Sequence, residues 1–320
     1  MTTIAEIEAA RERIAGAAVR TPLIRLHVQD APAEIYLKLE TLQPINSFKI
    51  RGAMSAVMLA TPEQRRPGLV TASAGNMAQG VAWAARALGL PATILVPETA
   101  PEAKLAAIGR LGGTVRKLPY DDWWQTIVTG RAVLPETGGT EGLFVHPVRD
   151  PAVIAGNGTI GLEILADLPD PDAVVIPYGG GGLTCGVASA IKALRPATRI
   201  VTVEPEGGAA MAAAMAAGQP ADVDFRPSFV DGCGSRRVLD SMWPLVSPLV
   251  DDALEIAVDD AAAAIRVLAE RVRVIAEGAG ALAAAAALSG RAGHGKVVCV
   301  VSGGNINLSK LAQILAGNAN

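Results

Sequence analysis

Ala173-Val174-Val175-Ile176-Pro177-Tyr178-Gly179-Gly180-Gly181-Gly182-Leu183-Thr184-Cys185-Gly186 is the stretch from which the fold can be read. It opens on a short β-branched run, the pattern of a strand buried on both faces. From Leu183 onward the pattern is that of a buried helix. Between the two stand four consecutive glycines, which cost backbone entropy and offer no side chain to pack. The usual compensation is close approach of the backbone to a ligand, most often a phosphate held by N–H groups at the N-terminus of the next helix. Strand, glycine turn and helix together predict an α/β protein with a parallel sheet. They place a ligand beyond the carboxyl end of one strand.

The same alternation extends in both directions. Downstream, the patterning predicts a strand over 199–203, a helix over 209–217, a largely helical stretch over 260–288 and a final buried strand over 297–301. Residues 221–248 are irregular and rich in Pro, Gly and Asp. Upstream of the glycines lie a helix over 160–168 and a separate series: strands over 69–72, 92–96, 114–118 and 143–146, with helices over 77–88, from Pro101, and over 121–134. Two such series, changing character near 140–155, predict two lobes with a cleft between them.

Bulk properties narrow the function classes. The chain has 320 residues, half of them hydrophobic and 18% charged, so a charge-solvated disordered protein is excluded. No apolar run reaches the roughly 18 residues of a membrane span. Thr3 followed by Glu6 reads as a helix capping box rather than a signal peptide. Net charge is −3 with both signs interspersed, which points away from nucleic acid and anionic membrane. Cys185, Cys233 and Cys299 lack metal-ligand spacing and read as free thiols of a reducing compartment, hence a cytoplasmic protein.

Three further segments concentrate unusual residues. Lysine is scarce, seven residues against 21 arginines, yet Lys49 stands between Phe48 and Ile50 in Asn46-Ser47-Phe48-Lys49-Ile50-Arg51-Gly52. An apolar setting lowers an amine's pKa, and a Schiff base or a general base needs the neutral form. A helix-start lysine reaching solvent is the plainer alternative. Ser73-Ala74-Gly75-Asn76-Met77 turns a strand into a helix and offers backbone N–H groups to an anion, although an ordinary helix start explains it equally. Ser302-Gly303-Gly304-Asn305 repeats the glycine logic more weakly. A rival reading takes Gly180, Gly182 and Gly186, with Glu204 ending the next strand, as a dinucleotide-binding fingerprint and therefore an NAD-dependent enzyme. It leaves Lys49 and 73–76 without a task.

All four segments, in this order, resemble the fold-type II pyridoxal 5′-phosphate (PLP) enzymes, in the threonine/serine dehydratase and serine racemase branch. Thr21-Pro22-Leu23 and Gly156-Asn157-Gly158-Thr159 add to the match, which covers essentially the whole chain. The resemblance implies a two-lobed, tryptophan synthase β-like fold, with residues 1–53 and 144–320 as a large cofactor-binding domain and 54–143 as a small mobile domain. It implies that Lys49 carries the PLP and acts as the base at Cα, and that Phe48 packs on the cofactor ring. Asn76 would bond the ring's 3′-oxygen, the amides of Gly179, Gly180, Gly181, Gly182 and Leu183 the phosphate, and Ser302 the pyridine nitrogen. Ser73, Ala74, Gly75 and Asn76 would receive the substrate carboxylate, and Trp124 its side chain. The implied activity is elimination of water from a β-hydroxy-α-amino acid such as threonine, serine or phenylserine, giving a 2-oxo acid and ammonia. The implied assembly is a homodimer.

Departures from the pattern refine this. Ala74 stands where racemases of the branch carry a second serine as acid/base on the opposite cofactor face, and alanine has no proton to move. Ala210 stands where a cation site shared with Glu204 would need an acid, so no metal is expected. Met77 replaces a histidine and reads as packing. Trp123 and Trp124 stand where a basic residue would serve 3-hydroxyaspartate, and so favour a neutral β-substituent, unless both are core or interface residues. Arg236 and Arg237 are an exposed pair or a carboxylate site. The short stretch after Ser302 carries the expectation that no regulatory module follows.

Overall fold

The structure, a computed structural model, describes residues 2–131 and 142–317. Its strands are β1 (Leu23–Arg25), β2 (Glu34–Leu39), β3 (Leu69–Ala72), β4 (Ala92–Pro97), β5 (Thr114–Leu118), β6 (Leu143–Phe144), β7 (Ala173–Pro177), β8 (Arg199–Pro205), β9 (Asp252–Ile256) and β10 (Lys296–Val301). The first seven helices are α1 (Ile4–Arg13), α2 (Lys49–Leu59), α3 (Pro62–Arg65), α4 (Asn76–Ala87), α5 (Glu102–Arg110), α6 (Tyr120–Thr129) and α7 (Pro151–Asp167). The remainder are α8 (Gly182–Leu194), α9 (Ala210–Ala217), α10 (Trp243–Val246), α11 (Val258–Val272), α12 (Gly278–Leu288) and α13 (Leu308–Leu315). Residues 132–134 of the helix expected over 121–134 lie outside the described residues.

Two sheets result. One has the order β1-β2-β10-β7-β8-β9 and is parallel except for β1; the other, β5-β4-β3-β6, is wholly parallel. The expected α/β architecture is therefore present. β7 and most of β10 are buried because helices cover both faces, which is why their sequences are unbroken Val, Ile and Ala runs. On one face lies α12, Gly278–Leu288, alanine and glycine apart from Leu282 and Leu288, whose small side chains let it pack close against the sheet. On the other lies α8 with Val187, Ala188 and Ile191.

Several elements depart from the sequence reading for identifiable reasons. α7 begins at Pro151, nine residues before the expected start, with Asp150 accepting from the Ala152 amide as its cap. Gly156 and Gly158 look like a loop, yet they sit inside α7 at its crossings: a Cβ on Gly156 would lie 2.5 Å from the Arg51 carbonyl, and one on Gly158 2.8 Å from Ile7. The stretch over 260–288 is two helices, because Arg273 takes φ 57° and Val274 to Glu277 are not helical before Gly278 begins α12. The last upstream strand spans only Leu143 and Phe144.

β2 escapes the pattern because Lys38 and its neighbour Glu40 are fully buried. The Lys38 ammonium donates to Glu163 at 2.6 Å and to the Thr21 carbonyl. Arg51 Nε donates to Glu40 at 2.8 Å and its Nη1 to Glu163 at 2.6 Å. Burial opposes the Arg51 charge, but the two carboxylates outweigh it and hold the guanidinium protonated; Arg51 likewise outweighs burial at Glu40 and keeps that carboxyl below its ordinary range. Two cations and two anions balance, which is how this interior tolerates charge. Among the described residues no helix is long and apolar enough to cross a membrane.

Candidate active site

The carboxyl ends of β3, β7 and β10 converge on a cavity of about 310 Å³. Its lining includes Phe48 and Lys49, all of 73–77, Gly179 to Leu183, and Ser302. The structure thus brings together every expected cofactor-binding residue and the expected substrate residues Ser73, Ala74, Gly75 and Asn76. Trp124 is the exception. It is exposed and lines a neighbouring cavity of about 930 Å³, whereas Trp123 faces the site. One position along a helix turns a side chain by about 100°, enough to exchange the two indoles.

Lys49 is the first residue of α2, which no side chain caps. Backbone bonds fix that end instead: the Phe48 amide donates to the Ser302 carbonyl at 3.0 Å, and Ser47 bridges to Gly303. The lysine segment and the serine segment, some 250 residues apart in the chain, are thereby laced together. The Lys49 amine donates to the Pro147 carbonyl at 3.0 Å and lies 5.1 Å from the Phe48 ring centre. Burial pulls its pKa down to about 8, against the opposing pull of the Glu277 carboxylate. Such an amine is partly neutral near physiological pH, as covalent capture of an aldehyde requires.

Opposite stands the start of α8. Gly181 takes φ +93°, and among the described residues no side chain caps this helix. Its first N–H groups face the cavity as an uncapped positive end, the donor set that suits a phosphate. Gly180 and Gly182 are required by the turn at Val148. A Cβ on Gly180 would lie 2.4 Å from Val148 Cγ2, and one on Gly182 2.6 Å from the Val148 carbonyl oxygen. An amine of depressed pKa facing an uncapped helix start fits an aldehyde that also carries a phosphate.

Glu277 is the functional residue that sequence reading missed. Its Oε1 accepts from Asn76 Nδ2 at 2.7 Å, and Asn305 Nδ2 donates to Asn76 Oδ1 at 2.7 Å. These bonds orient Asn76 and leave its second amide hydrogen for a ligand. Burial raises the Glu277 carboxyl to about 7. The signal was available: an acid directly before Gly278-Ala279-Gly280 interrupts an otherwise alanine-rich run.

Other candidates separate. Met77 is a buried core residue that also touches the cavity. Arg236 and Arg237 line the larger cavity, with Arg237 paired to Asp222 and Asp240. Glu204 Oε2 accepts from the Met211 and Ala212 amides and so caps α9. It is committed to a helix rather than to a ribose, which removes the acidic partner that a dinucleotide would need. Among the described residues no group of three or more His, Cys, Asp and Glu is placed to hold a metal.

Comparison with known proteins agrees with this chemistry. The family described as pyridoxal-phosphate dependent enzyme matches residues 14–303. L-threonine ammonia-lyase of Thermotoga maritima is 40% identical over 98% of this chain and 78% of its own length. The catabolic L-threonine dehydratase of Escherichia coli is 38% identical over 97% of this chain and 95% of its own. Maize serine racemase, a solved structure at 34% identity, superposes with a TM-score of 0.86 over 99% of this chain and 97% of its own. An amine of lowered pKa, an uncapped glycine-rich helix start and likeness over nearly the full length lead to one conclusion: the chain belongs to the pyridoxal-phosphate dependent enzymes, in the fold-type II branch of threonine/serine dehydratases and serine racemases, and is a lyase.

Proposed function

We propose that this enzyme eliminates water from a β-hydroxy-α-amino acid of the threonine, serine or phenylserine type, releasing a 2-oxo acid and ammonia. The observation that carries the reading is that Lys49 lines the cavity while Ala74, at the place where racemases of the branch carry a serine, has no proton to exchange. A proton can then leave Cα to Lys49 without that serine to return one from the opposite face, which suits elimination and not racemisation. The names of the Thermotoga and Escherichia relatives point the same way.

Bound PLP supplies an electron sink for the charge left at Cα. In the proposed reaction Lys49 Nζ takes the Cα proton, and its lowered pKa keeps a usable neutral fraction. Ser73 and the amides beside it hold the substrate carboxylate. Asn76 orients the cofactor's 3′-oxygen from the position that Glu277 and Asn305 give it. The Gly179–Gly182 amides and Leu183 hold the phosphate. Ser302 would offer the pyridine nitrogen a hydroxyl rather than a carboxylate, so a protonated ring would be stabilised less, which would favour prompt loss of the β-hydroxyl as water once it is protonated. Trp123 and Pro97 border both this cavity and the larger outer one, which gives an apolar side chain somewhere to extend.

Residues 54–143 form the small mobile domain in this reading, and 1–53 with 144–320 the large one. It is supported by the four-stranded sheet, which lies within 69–144. We assign the enzyme to the cytoplasm as a homodimer. The test is oxo-acid release over threonine, serine, phenylserine and 3-hydroxyaspartate, with an absorbance scan of the same sample. Threonine-, serine- or phenylserine-dependent release is expected; preference for 3-hydroxyaspartate, or amino-acid inversion without release, refutes the proposal.

A further inference from the structure

His146 is one of three histidines in the chain and the one most deeply enclosed, 5% exposed. Its two ring nitrogens make different bonds. Nδ1 accepts from two consecutive backbone amides, Val148 at 3.1 Å and Arg149 at 3.0 Å. A nitrogen accepting from amides carries no proton, so the proton sits on Nε2. That N–H donates to the Ile127 carbonyl in α6 at 2.9 Å. The ring is thus a neutral imidazole of fixed tautomer. Burial holds its pKa down to about 4, with the Arg149 and Lys49 charges acting in the same direction.

The turn that Nδ1 gathers is the one under the lysine. Pro147, between His146 and Val148, presents the carbonyl on which Lys49 Nζ rests at 3.0 Å. Val148 is also the residue against which Gly180 and Gly182 close. One ring therefore ties the backbone that follows the amine's acceptor, at Val148 behind the glycine turn and at Arg149, to α6, which carries Trp123.

We propose that His146 is a positioning residue for the lysine: by gathering the Val148 and Arg149 amides on Nδ1 it fixes the Pro147 carbonyl where the Lys49 amine docks whenever substrate occupies the cofactor. The inference rests on the reading of Lys49 as the PLP-bearing residue. No bond to the cofactor is assigned to His146. It acts only through the backbone of 147–149.

The two nitrogens can be tested separately. Asparagine places an acceptor where Nδ1 lies and can still gather the two amides; glutamine reaches the Nε2 position and keeps the grip on Ile127. With each full-length variant saturated with PLP, His146→Gln should lower kcat by about tenfold to a hundredfold, the cost of an ångström-scale misplacement, while KM moves by less than about threefold. His146→Asn should remain within about threefold of the parent enzyme in both. The reverse ranking, equal loss in both variants, or no loss in either overturns the proposal. A readout free of both activity and folding is the ¹⁵N spectrum of the imidazoles in the unaltered protein. One ring should stay neutral with its proton on Nε2 from about pH 5 to 8, below and above the ordinary histidine pKa; three rings titrating near 6.5, or a Nδ1–H tautomer for His146, also overturns it. Borohydride reduction followed by peptide mass analysis separates the two ideas. PLP fixed on a lysine other than Lys49 refutes the site reading itself. Fixation on Lys49 with an unfavourable variant ranking refutes only the role of His146.

Discussion

Replacing Gly182 by alanine should weaken the cofactor site through contact with backbone, and the geometry says why it should exceed the same change at Gly180. The added methyl would lie 2.6 Å from the Val148 carbonyl oxygen. A carbonyl cannot rotate aside, so α8 and the 147–149 turn must part by roughly 0.5 to 1 Å, an overpacking cost of about 1–3 kcal/mol. The displaced turn carries the Pro147 carbonyl on which Lys49 rests. At Gly180 the methyl would meet Val148 Cγ2 at 2.4 Å and Cγ1 at 2.9 Å, both side-chain ends. Trimming Val148 to alanine removes those two atoms and leaves the 3.2 Å contact with Cβ as the nearest. Gly180→Ala should therefore be largely rescued by Val148→Ala, and Gly182→Ala should not. Equilibrium titration with PLP reads the effect: one to three kcal/mol is about a fivefold to 150-fold rise in Kd. If Gly182→Ala binds PLP like the parent protein, or Val148→Ala rescues both glycine variants alike, the contact argument is wrong.

Other substitutions probe the remaining groups. Lys49→Ala should abolish turnover and borohydride fixation of PLP while the circular dichroism spectrum stays native; residual turnover would show that another base serves. Ala74→Ser should introduce measurable racemisation of serine by supplying a proton on the opposite face, and unchanged stereochemistry would weaken the two-face argument. Glu277→Gln should stabilise the protein at high pH. The folded carboxyl is raised to about 7 by burial, so its favourable contribution is complete at acid pH and is lost as pH rises through about 7. Urea titrations at pH 5 and 8 should show the variant gaining roughly 1–3 kcal/mol over the parent at the higher pH, and a gain confined to pH 5 would contradict the sign. Arg51→Met should cost about 3–5 kcal/mol by stranding Glu40 in the interior while Glu163 keeps Lys38, a loss that Arg51→Met/Glu40→Met should partly restore.

A strand that is apolar throughout, such as β7, could be read directly from composition, and β5, set off by Gly112-Gly113 and Pro119 despite its Arg116 and Lys117, also falls on the expected residues. The upstream strands at 69 and 92 begin where the pattern puts them. Elements whose burial depends on a distant partner could not. β2 contains Lys38, which reads as a surface residue until Glu163 arrives from α7 to neutralise it. Gly156 and Gly158 signal a break in any local reading, and only the approach of α2 and α1 turns them into contacts within a helix. The site follows the same division. The glycine turn announces itself by local chemistry, Lys49 and Asn76 stand out locally but take their roles from the family resemblance, and Glu277 acquires meaning only from Asn76, 201 positions away. The choice between Trp123 and Trp124 depends on a helix phase that two adjacent indoles conceal.

Helix phase also explains how Lys49 is aimed. α2 starts without a side-chain cap; the backbone bonds of Ser47 and Phe48 fix where it begins, and its rotation is fixed further along. Arg51 follows Lys49 two residues later, about 200° around the helix axis. Its guanidinium is held on the inner side by Glu40 and Glu163, neither of which can leave without stranding charge in the interior. A helix pinned in rotation on that side must present Lys49 on the other, toward the glycine turn. Gly52 completes the constraint, because a Cβ there would lie 2.7 Å from Val153 Cγ1, so α2 and α7 lie too close to slide apart or turn. The buried charges therefore contribute to the chemistry without touching it: they fix the azimuth of the helix that carries the amine.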